Sequence, residues 1–254
     1  MKLRILGSDG GIGGHRRTTA LMVDEDVLID AGSGVGDLAL EEMAGIRKVL
    51  LTHAHLDHVA GLLLLLDTVQ PKKARPIVTH GLAATLEALS RHMLNDEVWP
   101  DFRRIPSADD PTVVLEDMSP GVALSDRGRL FTMIEVCHSV PAVGYLISGP
   151  GGAFAFSGDT SRCEGFWRAL NETRRLDLLI VEVSYPDSHA DLAMKSGHYH
   201  PTSLAQDLER LVHRPEIRLT HLKPGLEVEI RADCERALAG RDFQILRGGE
   251  IFNF

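Results

Sequence analysis

A histidine-rich run, T-H-A-H-L-D-H at residues 52–58, constrains this chain more than any other feature of its sequence. Four side chains that can bind a metal lie within six positions of it: His53, His55, Asp57 and His58. An apolar segment typical of a buried parallel strand leads into the run, and a longer apolar segment typical of a helix follows it. Residues two apart in an extended chain point the same way, so His53 and His55 can face one metal. A helix that begins just after them would turn Asp57 and His58 towards a second metal. Imidazoles beside a carboxylate suit zinc, iron or manganese in a hydrolytic site rather than in a closed structural one.

The H-x-H-x-D-H pattern of this run resembles the metallo-β-lactamase superfamily of metal-dependent hydrolases. The resemblance implies an α/β fold, the αββα four-layer sandwich, with residues 1–254 as a single hydrolase domain. It places the metal site at one edge of the two sheets and implies further ligands at strand ends. Three candidates follow apolar, strand-like segments: His138, Asp159 and His221. Asp159 ends the sequence F-S-G-D, which resembles the F-x-G-D element of the family.

The same resemblance implies a cofactor of two divalent metal ions, with Zn²⁺ as the expected metal and Mn²⁺ or Fe²⁺ as alternatives. The expected ligands of the first metal are His53, His55 and His138. Those of the second metal are Asp57, His58 and His221, and Asp159 is expected to bridge the two. These candidates occur in the family's order over nearly the whole chain, which makes the match far more specific than the first motif alone.

Three sequence elements in the last third of the chain indicate which branch of the superfamily it resembles. They read E-V-S-Y at residues 182–185, G-H-Y-H-P at 197–201 and T-H-L-K-P at 220–224. With the first motif, they resemble the class II cyclic-nucleotide phosphodiesterases, whose second element reads G-H-L-T-P. Tyr199 and His200 depart from that pattern. The Glu of the first element and the His of the second also resemble a pair in the tRNA 3′-processing branch. Both branches consist of phosphodiesterases, so the resemblance implies cleavage of a P–O bond.

A phosphodiesterase needs a nucleophile, charge neutralisation and a proton for the leaving oxygen. Two metals can stabilise both the attacking and the leaving oxygen and lower the pKa of a water between them. The hydroxide formed from that water would attack phosphorus in line with the leaving oxygen. His198 is our candidate proton donor, because the carboxylate of Glu182 can fix its tautomer and support its cationic form. Asp57 is counted as a catalytic candidate as well as a ligand. Lys223 is a candidate phosphate contact as a point charge, and His198 and His200 are further candidates for substrate binding.

Composition bears on the substrate and on the compartment. The formal net charge is -9, and nucleic-acid binding relies on Lys and Arg, so a small phosphodiester is favoured over RNA. No apolar stretch approaches the ~20 residues that span a bilayer, and the N-terminus lacks the apolar core of a signal peptide. The three cysteines are far apart in sequence, which predicts a reducing cytoplasm and no disulfide framework. Cys137 adjoins His138, but strand alternation points its thiol away from the metal. A homodimer is expected, since symmetric dimers are the commonest soluble oligomers.

Two other classes of function stay open at this stage. One is another enzyme of the same superfamily, either a hydrolase of lactone, thioester or amide bonds or a tRNA 3′-processing-like endonuclease. The hydrolase of lactone, thioester or amide bonds is disfavoured because the Glu182 and His198 pair suits an alkoxide that leaves phosphorus. The other class is a non-catalytic metal-binding protein, and the presence of all seven ligand candidates argues against it.

Hydrophobic periodicity predicts strands interleaved with helices, which is typical of α/β layers. Strands are predicted at 3–7, 19–23, 27–30, 48–52, 76–79, 112–116, 131–137, 144–147, 153–157, 178–183 and 218–220. Helices are predicted at 56–66, 82–94, 163–170, 202–212 and 229–239. Residues 95–111 are predicted to form a long surface loop, and the Gly-rich residues 7–14 a mobile loop over the metal site. Asp30, in the sequence D-A-G, is expected to orient a ligand histidine.

Overall fold

Two seven-stranded β-sheets form the centre of the computed structural model, which describes all residues from 1 to 254. In chain order the strands are β1 (Lys2–Gly7), β2 (Ala20–Val23), β3 (Val27–Ile29), β4 (Lys48–Leu50), β5 (Ile77–Gly81), β6 (Val113–Asp117), β7 (Ala123–Asp126), β8 (Arg129–Val136), β9 (Ala142–Gly149), β10 (Gly152–Phe156), β11 (Leu178–Glu182), β12 (Glu216–Thr220), β13 (Phe243–Ile245) and β14 (Ile251–Asn253). The first sheet has the order β14-β1-β2-β3-β4-β5-β6, and the second has the order β13-β12-β11-β10-β9-β8-β7. Each sheet therefore contains a parallel part and an antiparallel part.

Helices cover the outer face of each sheet. They are α1 (Leu40–Gly45), α2 (Leu56–Val69), α3 (Ala83–His92), α4 (Glu164–Asn171), α5 (Ala190–Ser196), α6 (Pro201–Leu208) and α7 (Glu227–Ala237). Short 3₁₀ segments lie at Ser33–Asp37, Gln70–Lys72 and Asp187–His189. The predicted αββα sandwich is confirmed by this arrangement of layers. No helix combines the length and the apolar character needed to cross a membrane.

Alternation along the buried strands explains how the layers are held together. Val49 and Leu51 belong to the apolar layer between the first sheet and its helices, whereas Leu50 belongs to the layer between the two sheets. Successive side chains of a strand point to opposite faces, so a continuous apolar run is needed where both faces are covered. The layer between the sheets includes large side chains such as Tyr145 and Phe154, which are fully buried.

Strand direction brings the ends of several strands to one edge of the sandwich. β3 and β4 are parallel, and β10, β11 and β12 are parallel. β8 and β10 are both antiparallel to β9, so they run in the same direction as each other. The last residues of β4, β8, β10, β11 and β12 and the segments that follow them carry all seven metal-ligand candidates together with Glu182 and His198.

The predicted surface loop after α3 is partly core. Phe102 is 2% exposed and packs in the layer between the first sheet and its helices. The indole Nε1 of Trp99 donates a hydrogen bond to the carbonyl oxygen of Leu63, at 3.1 Å. The hydrophobic periodicity of this segment does not indicate these contacts, because Trp99 and Phe102 lie among polar residues and Pro. The sequence pattern also missed α1, α5, β7, β13 and β14, all of which are short.

Candidate metal centre

The first group of ligand-type side chains comes from the ends of three strands. His53 and His55 follow β4, His138 follows β8, and Asp159 follows β10. One side-chain donor atom from each lies within 4.8 Å of the others. Nε2 of His138 is 3.2 Å from Nδ1 of His55, and Nε2 of His53 is 3.7 Å from Oδ2 of Asp159. The three imidazoles and the carboxylate therefore converge on one point.

A second group lies beside the first and shares Asp159 with it. It consists of Asp57, His58, Asp159 and His221, and their donor atoms also lie within 4.8 Å of one another. Nε2 of His221 is 3.2 Å from Oδ2 of Asp57 and 3.4 Å from Oδ2 of Asp159. Nε2 of His58 is 3.3 Å from Oδ1 of Asp159. The first turn of α2 carries Asp57 and His58, so the strand-to-helix change turns them away from the pair that precedes them.

The polar atoms of these groups fit divalent metal ions. Nε2 of His53 and Nε2 of His58 are buried and have no hydrogen-bond partner. A buried polar atom without a partner costs free energy, and a cation bound at these lone pairs would remove that cost. Asp159 is 2% exposed, and although burial alone would raise its pKa, His221, His58 and His53 hold that pKa well below its usual value. An ionised carboxylate among imidazoles is a donor set suited to zinc, iron or manganese.

Hydrogen bonds to Nδ1 orient four of the five ligand-type histidines, whose Nε2 atoms face the two groups. Four of them have Nδ1 engaged: His53 by Oγ1 of Thr52 at 2.9 Å, His58 by Oδ2 of Asp30 at 2.7 Å, His138 by the carbonyl oxygen of Gly197 at 2.8 Å, and His221 by Oγ of Ser184 at 3.0 Å. A proton held on Nδ1 leaves the Nε2 lone pair free for a metal. His55 is the exception, because its Nδ1 is the atom that faces the group.

Asp30 lies directly behind this group, as the D-A-G element predicts. It is fully buried, has a left-handed backbone with φ of 55°, and accepts hydrogen bonds from the backbone N–H and the hydroxyl of Thr52. Burial raises the pKa of its carboxyl, against the lowering effect of His58. The contact with Nδ1 of His58 sets the tautomer of that ring.

Replacing Asp30 by Asn is expected to weaken metal binding by about 10–100-fold, the usual cost of losing such a supporting partner. The amide N–H₂ of Asn would face Nδ1 of His58 and drive its proton to Nε2, which is the ligand atom. Competition with a zinc indicator measures this affinity, and Asp101→Asn, a change at another buried carboxylate outside the site, is the control. Unchanged zinc affinity in Asp30→Asn would contradict the assignment.

His198 and Glu182 lie against both groups. Nδ1 of His198 is 2.7 Å from Oε1 of Glu182, which is fully buried. The His198 ring stacks on His221 with centroids 5.3 Å apart, and its centroid is 4.9 Å from that of His138. Burial lowers the pKa of His198, but the carboxylates of Glu182 and Asp159 together more than offset this, so the net pKa is raised. The predicted pairing of these two side chains is thus present in the structure.

The remaining candidates have different surroundings. Nδ1 of His200 is 2.6 Å from Oδ1 of Asp187, and no contact joins it to the ligand-type residues. Tyr199 is fully buried, with its hydroxyl donating to Asp207, so its departure from the phosphodiesterase pattern is a feature of packing. Nζ of Lys223 donates to the carbonyl oxygen of Gly10 at 3.1 Å, and the Lys223 charge is close enough to lower the pKa of His198.

The Gly-rich segment is docked against the last ligand candidate. His221 has a left-handed φ of 64°, and its backbone N–H donates to the carbonyl oxygen of Ser8 at 2.8 Å. The N–H of Gly10 donates to the carbonyl oxygen of Leu222, and a Cβ on Gly10 would lie 2.4 Å from the carbonyl oxygen of His221. Only glycine permits this approach, so part of the segment that we predicted to be a mobile loop supports the His221 backbone.

Sequence reasoning missed two hydroxyls that hold the site together. Thr52 bridges Asp30 and His53, and Ser184 bridges Glu182 and His221. Ser and Thr are too common for either to be singled out by type. Their positions beside candidate site residues, next to His53 in T-H-A-H and near Glu182 in E-V-S-Y, are the signal that could have found them.

Comparison with known proteins agrees with this architecture. A family model described as a beta-lactamase superfamily domain matches residues 25–222. The chain is 28% identical to a probable 3′,5′-cyclic-nucleotide phosphodiesterase of Yersinia pestis, over 87% of this chain and 78% of that one. It is 24% identical to a ribonuclease Z of Pyrococcus abyssi, over 91% and 90% of the two chains. The crystal structure of unliganded yeast PDE1 superposes with a TM-score of 0.81 at 19% identity, over 98% of both chains, which shows a shared fold.

Proposed function

Because this chain belongs to the β-lactamase superfamily of hydrolases, we propose that it is a metal-dependent phosphodiesterase that cleaves a small phosphodiester, with a 3′,5′-cyclic nucleotide as the leading candidate. One observation carries the proposal: the His198–Glu182 pair lies against two groups of ligand-type residues that share Asp159. A buried, carboxylate-bound imidazole beside a metal centre is what protonation of a departing alkoxide requires.

Seven side chains would hold two divalent metal ions, and we propose Zn²⁺ for both. They are His53, His55 and His138 for one ion, Asp57, His58 and His221 for the other, and Asp159 between them. When bound, such ions neutralise phosphate charge and lower the pKa of a coordinated water. The unpartnered Nε2 atoms of His53 and His58 support this assignment.

The other polar side chains would bind the substrate and move a proton. Glu182 engages Nδ1 of His198, which leaves Nε2 of His198 to donate a proton to the leaving oxygen. The positive charge of Lys223 would attract the phosphate, as a point charge rather than a bidentate clamp. His200 stays a weaker candidate for substrate binding, because its Nδ1 is held by Asp187.

The excess of acidic residues in the chain favours a small substrate. The chain has 27 basic and 36 acidic residues, which disfavours a long nucleic acid, since nucleic-acid affinity depends on neutralising several phosphates. The relative from Yersinia pestis is named for a cyclic nucleotide, which supports a small diester. The relative from Pyrococcus abyssi is named ribonuclease Z, so an RNA substrate is the second candidate. Assembly as a homodimer stays a prediction.

A side-by-side assay tests the proposed activity. Zinc-loaded protein would be given bis(p-nitrophenyl) phosphate, cyclic AMP, a tRNA with a 3′ extension, a lactone and nitrocefin. We expect hydrolysis of the first two and none of the lactone or nitrocefin. Faster cleavage of the tRNA than of both small diesters would favour the ribonuclease. Hydrolysis confined to the lactone or nitrocefin would overturn phosphodiester cleavage altogether.

Preference for diesters over monoesters is a second expected result. Lys223 is the one Lys or Arg among the proposed substrate contacts, so they include no arginine that could bind a doubly charged terminal phosphate with two parallel hydrogen bonds. The kcat/KM values of bis(p-nitrophenyl) phosphate and p-nitrophenyl phosphate, which share a leaving group, would be compared. A higher value for the monoester would refute this reading of the site.

Metal content is the third expected result. Protein purified without chelator should contain about two metals per chain, the stoichiometry of a two-metal site. Elemental analysis measures this, and dialysis against a chelator followed by added Zn²⁺ shows whether the metals can be restored. Content near zero that neither Zn²⁺ nor Mn²⁺ restores would reject the metal centre.

A further inference from the structure

The hydroxyl of Ser184 lies at the junction of the two halves of the site. Its Oγ is 2.9 Å from Oε2 of Glu182, 3.1 Å from Nδ1 of His198 and 3.0 Å from Nδ1 of His221. Ser184 is fully buried, so water does not compete for these contacts. One hydroxyl thus touches the candidate proton donor, its carboxylate and a metal-ligand candidate.

Counting protons assigns the direction of each hydrogen bond. The ionised Glu182 only accepts, so the single Ser184 proton is donated to its Oε2. Nδ1 of His198 donates to Oε1 of Glu182, at 2.7 Å, the shorter of its two contacts. The Ser184 oxygen is then free to accept from Nδ1 of His221. This chain of hydrogen bonds leaves the Nε2 atom of His221, which faces Asp57 and Asp159, without a proton.

We propose that Ser184 is a positioning residue that couples metal binding at His221 to proton donation by His198. Its hydroxyl fixes the His221 tautomer that a metal needs, and it holds the Glu182 carboxylate that orients His198. The part that concerns His198 rests on the proposed function, whereas the part that concerns His221 does not.

The test uses variants that separate the hydroxyl from the shape of the side chain. Ser184→Ala removes the hydroxyl, Ser184→Thr keeps it, and Ser184→Val matches the shape of Thr without it. Thr112→Val, which removes a buried hydroxyl that donates to the carbonyl oxygen of Ile105, is the control. Zinc affinity is measured by competition with an indicator, and kcat is measured on a p-nitrophenyl diester and on a diester with an alkyl leaving group.

We expect Ser184→Ala and Ser184→Val to lose about 10–100-fold in affinity for one of the two zinc ions. With both sites saturated, these variants should lose more kcat on the alkyl diester than on the p-nitrophenyl diester. Ser184→Thr should restore affinity and the leaving-group pattern relative to Ser184→Val, and Thr112→Val should alter neither.

Two outcomes would overturn the proposal. If Ser184→Ala and Ser184→Val keep the zinc affinity of the unmodified protein, the coupling to His221 is wrong. If they lose kcat equally on both diesters, the coupling to His198 is wrong. Absence of diester hydrolysis by the unmodified protein would instead count against the proposed function, and zinc affinity would still decide the role of Ser184 towards His221.

A separate observation concerns two thiols beside the metal centre. Sγ of Cys137 lies 2.6 Å from Sγ of Cys163. Cys137 is exposed after β8, and Cys163 is buried immediately before α4. The loops that carry them are already joined, since the N–H of Ser161 donates to the carbonyl oxygen of Cys137 at 2.7 Å and the N–H of Cys137 donates to Oγ1 of Thr160.

We infer that Cys137 and Cys163 form a reversible disulfide when the protein meets a peroxide. Peroxide oxidises the Cys137 thiol to a sulfenic acid and is itself reduced to water. The Cys163 sulfur then attacks the sulfenic sulfur, the S–S bond forms and a second water leaves. Cys137 reacts first because it is exposed to peroxide, whereas Cys163 is buried. The Cys163 proton and the sulfenic hydroxyl leave together as the second water.

Mass spectrometry of the full chain after treatment with hydrogen peroxide tests this inference. We expect a loss of about 2 Da, one Cys137–Cys163 cross-linked peptide and full recovery with dithiothreitol. Cys234→Ser should behave like the unmodified protein, because Cys234 is buried elsewhere. Cys163→Ser should instead leave a sulfenic acid on Cys137 that dimedone traps. Overoxidised Cys137 with a free Cys163 thiol in the unmodified protein would overturn the pair.

Discussion

Replacing Asp159 by Ala is expected to empty most of the metal centre and to abolish diester hydrolysis. Asp159 is the one side chain that belongs to both ligand groups, and its two carboxylate oxygens face His58 and His221 at 3.3 and 3.4 Å. Without its charge, the five imidazoles of the two groups would lie close together without the carboxylate that both groups share. Metal content should fall from about two per chain to below one, since a two-metal site needs the bridging ligand. The loss of activity should exceed the ~10–100-fold that removal of a supporting partner costs.

Two further variants make this result specific. Asp159→Asn keeps the shape and one oxygen but removes the charge, so it should retain more metal than Asp159→Ala and less than the unmodified protein. Asp207→Asn changes a carboxylate that is equally buried but pairs with Tyr199 and Arg162, and it should keep both metals. Elemental analysis and circular dichroism of the same samples separate loss of metal from loss of fold. Two tightly held metals in Asp159→Ala would show that Asp159 does not bridge them.

The grouping of the ligand candidates was predicted from the resemblance to the metallo-β-lactamase superfamily, and the sequence gives a physical reason for part of it, because His53, His138, Asp159 and His221 each follow a strand. An apolar run that stops at a His or an Asp predicts both the element and the side chain at its edge. Where the run is short or polar, the prediction failed: β13 and β14 contain only three residues each, and their side chains are not fully buried. These strands form through pairing with β12 and β1, which are distant in sequence.

Contacts that depend on sheet register could not be predicted from local pattern. Parallel pairing of β11 with β12 sets Glu182 opposite Thr220, and this brings Ser184 beside His221. Nothing in the spacing of the two residues, 37 positions apart, indicates that contact. The left-handed backbone of His221 is likewise set by the docked Gly10 segment, which the sequence alone presents as a loop.

Replacing His198 by Ala is expected to slow the chemical step while both metals stay bound. The Nδ1 contact with Glu182 leaves Nε2 to protonate the leaving oxygen, an effect usually worth ~10²–10⁴-fold in rate. His198→Ala should therefore lose that factor in kcat on a diester with an alkyl leaving group. On a p-nitrophenyl diester the loss should be much smaller, because p-nitrophenolate departs with little need for a proton. Glu182→Gln should show the same pattern more weakly, since it keeps the imidazole but removes the charge that supports its cation.

The dependence on leaving group, rather than the size of the loss, identifies the role of His198. A change that merely disturbed the ring stack on His221 would lower metal affinity and slow both diesters alike. His213→Ala, at a half-buried histidine that contacts Thr173, controls for the loss of an imidazole elsewhere and should alter neither rate.

Equal losses on the two diesters would reject proton donation. A fall in metal content in His198→Ala would make His198 a ligand or a support for one. The geometry permits this, because ligand-type atoms of Glu182, His198 and His221 also lie within 4.8 Å of one another. Full metal content together with a loss confined to the poor leaving group would leave proton donation as the role that fits both measurements.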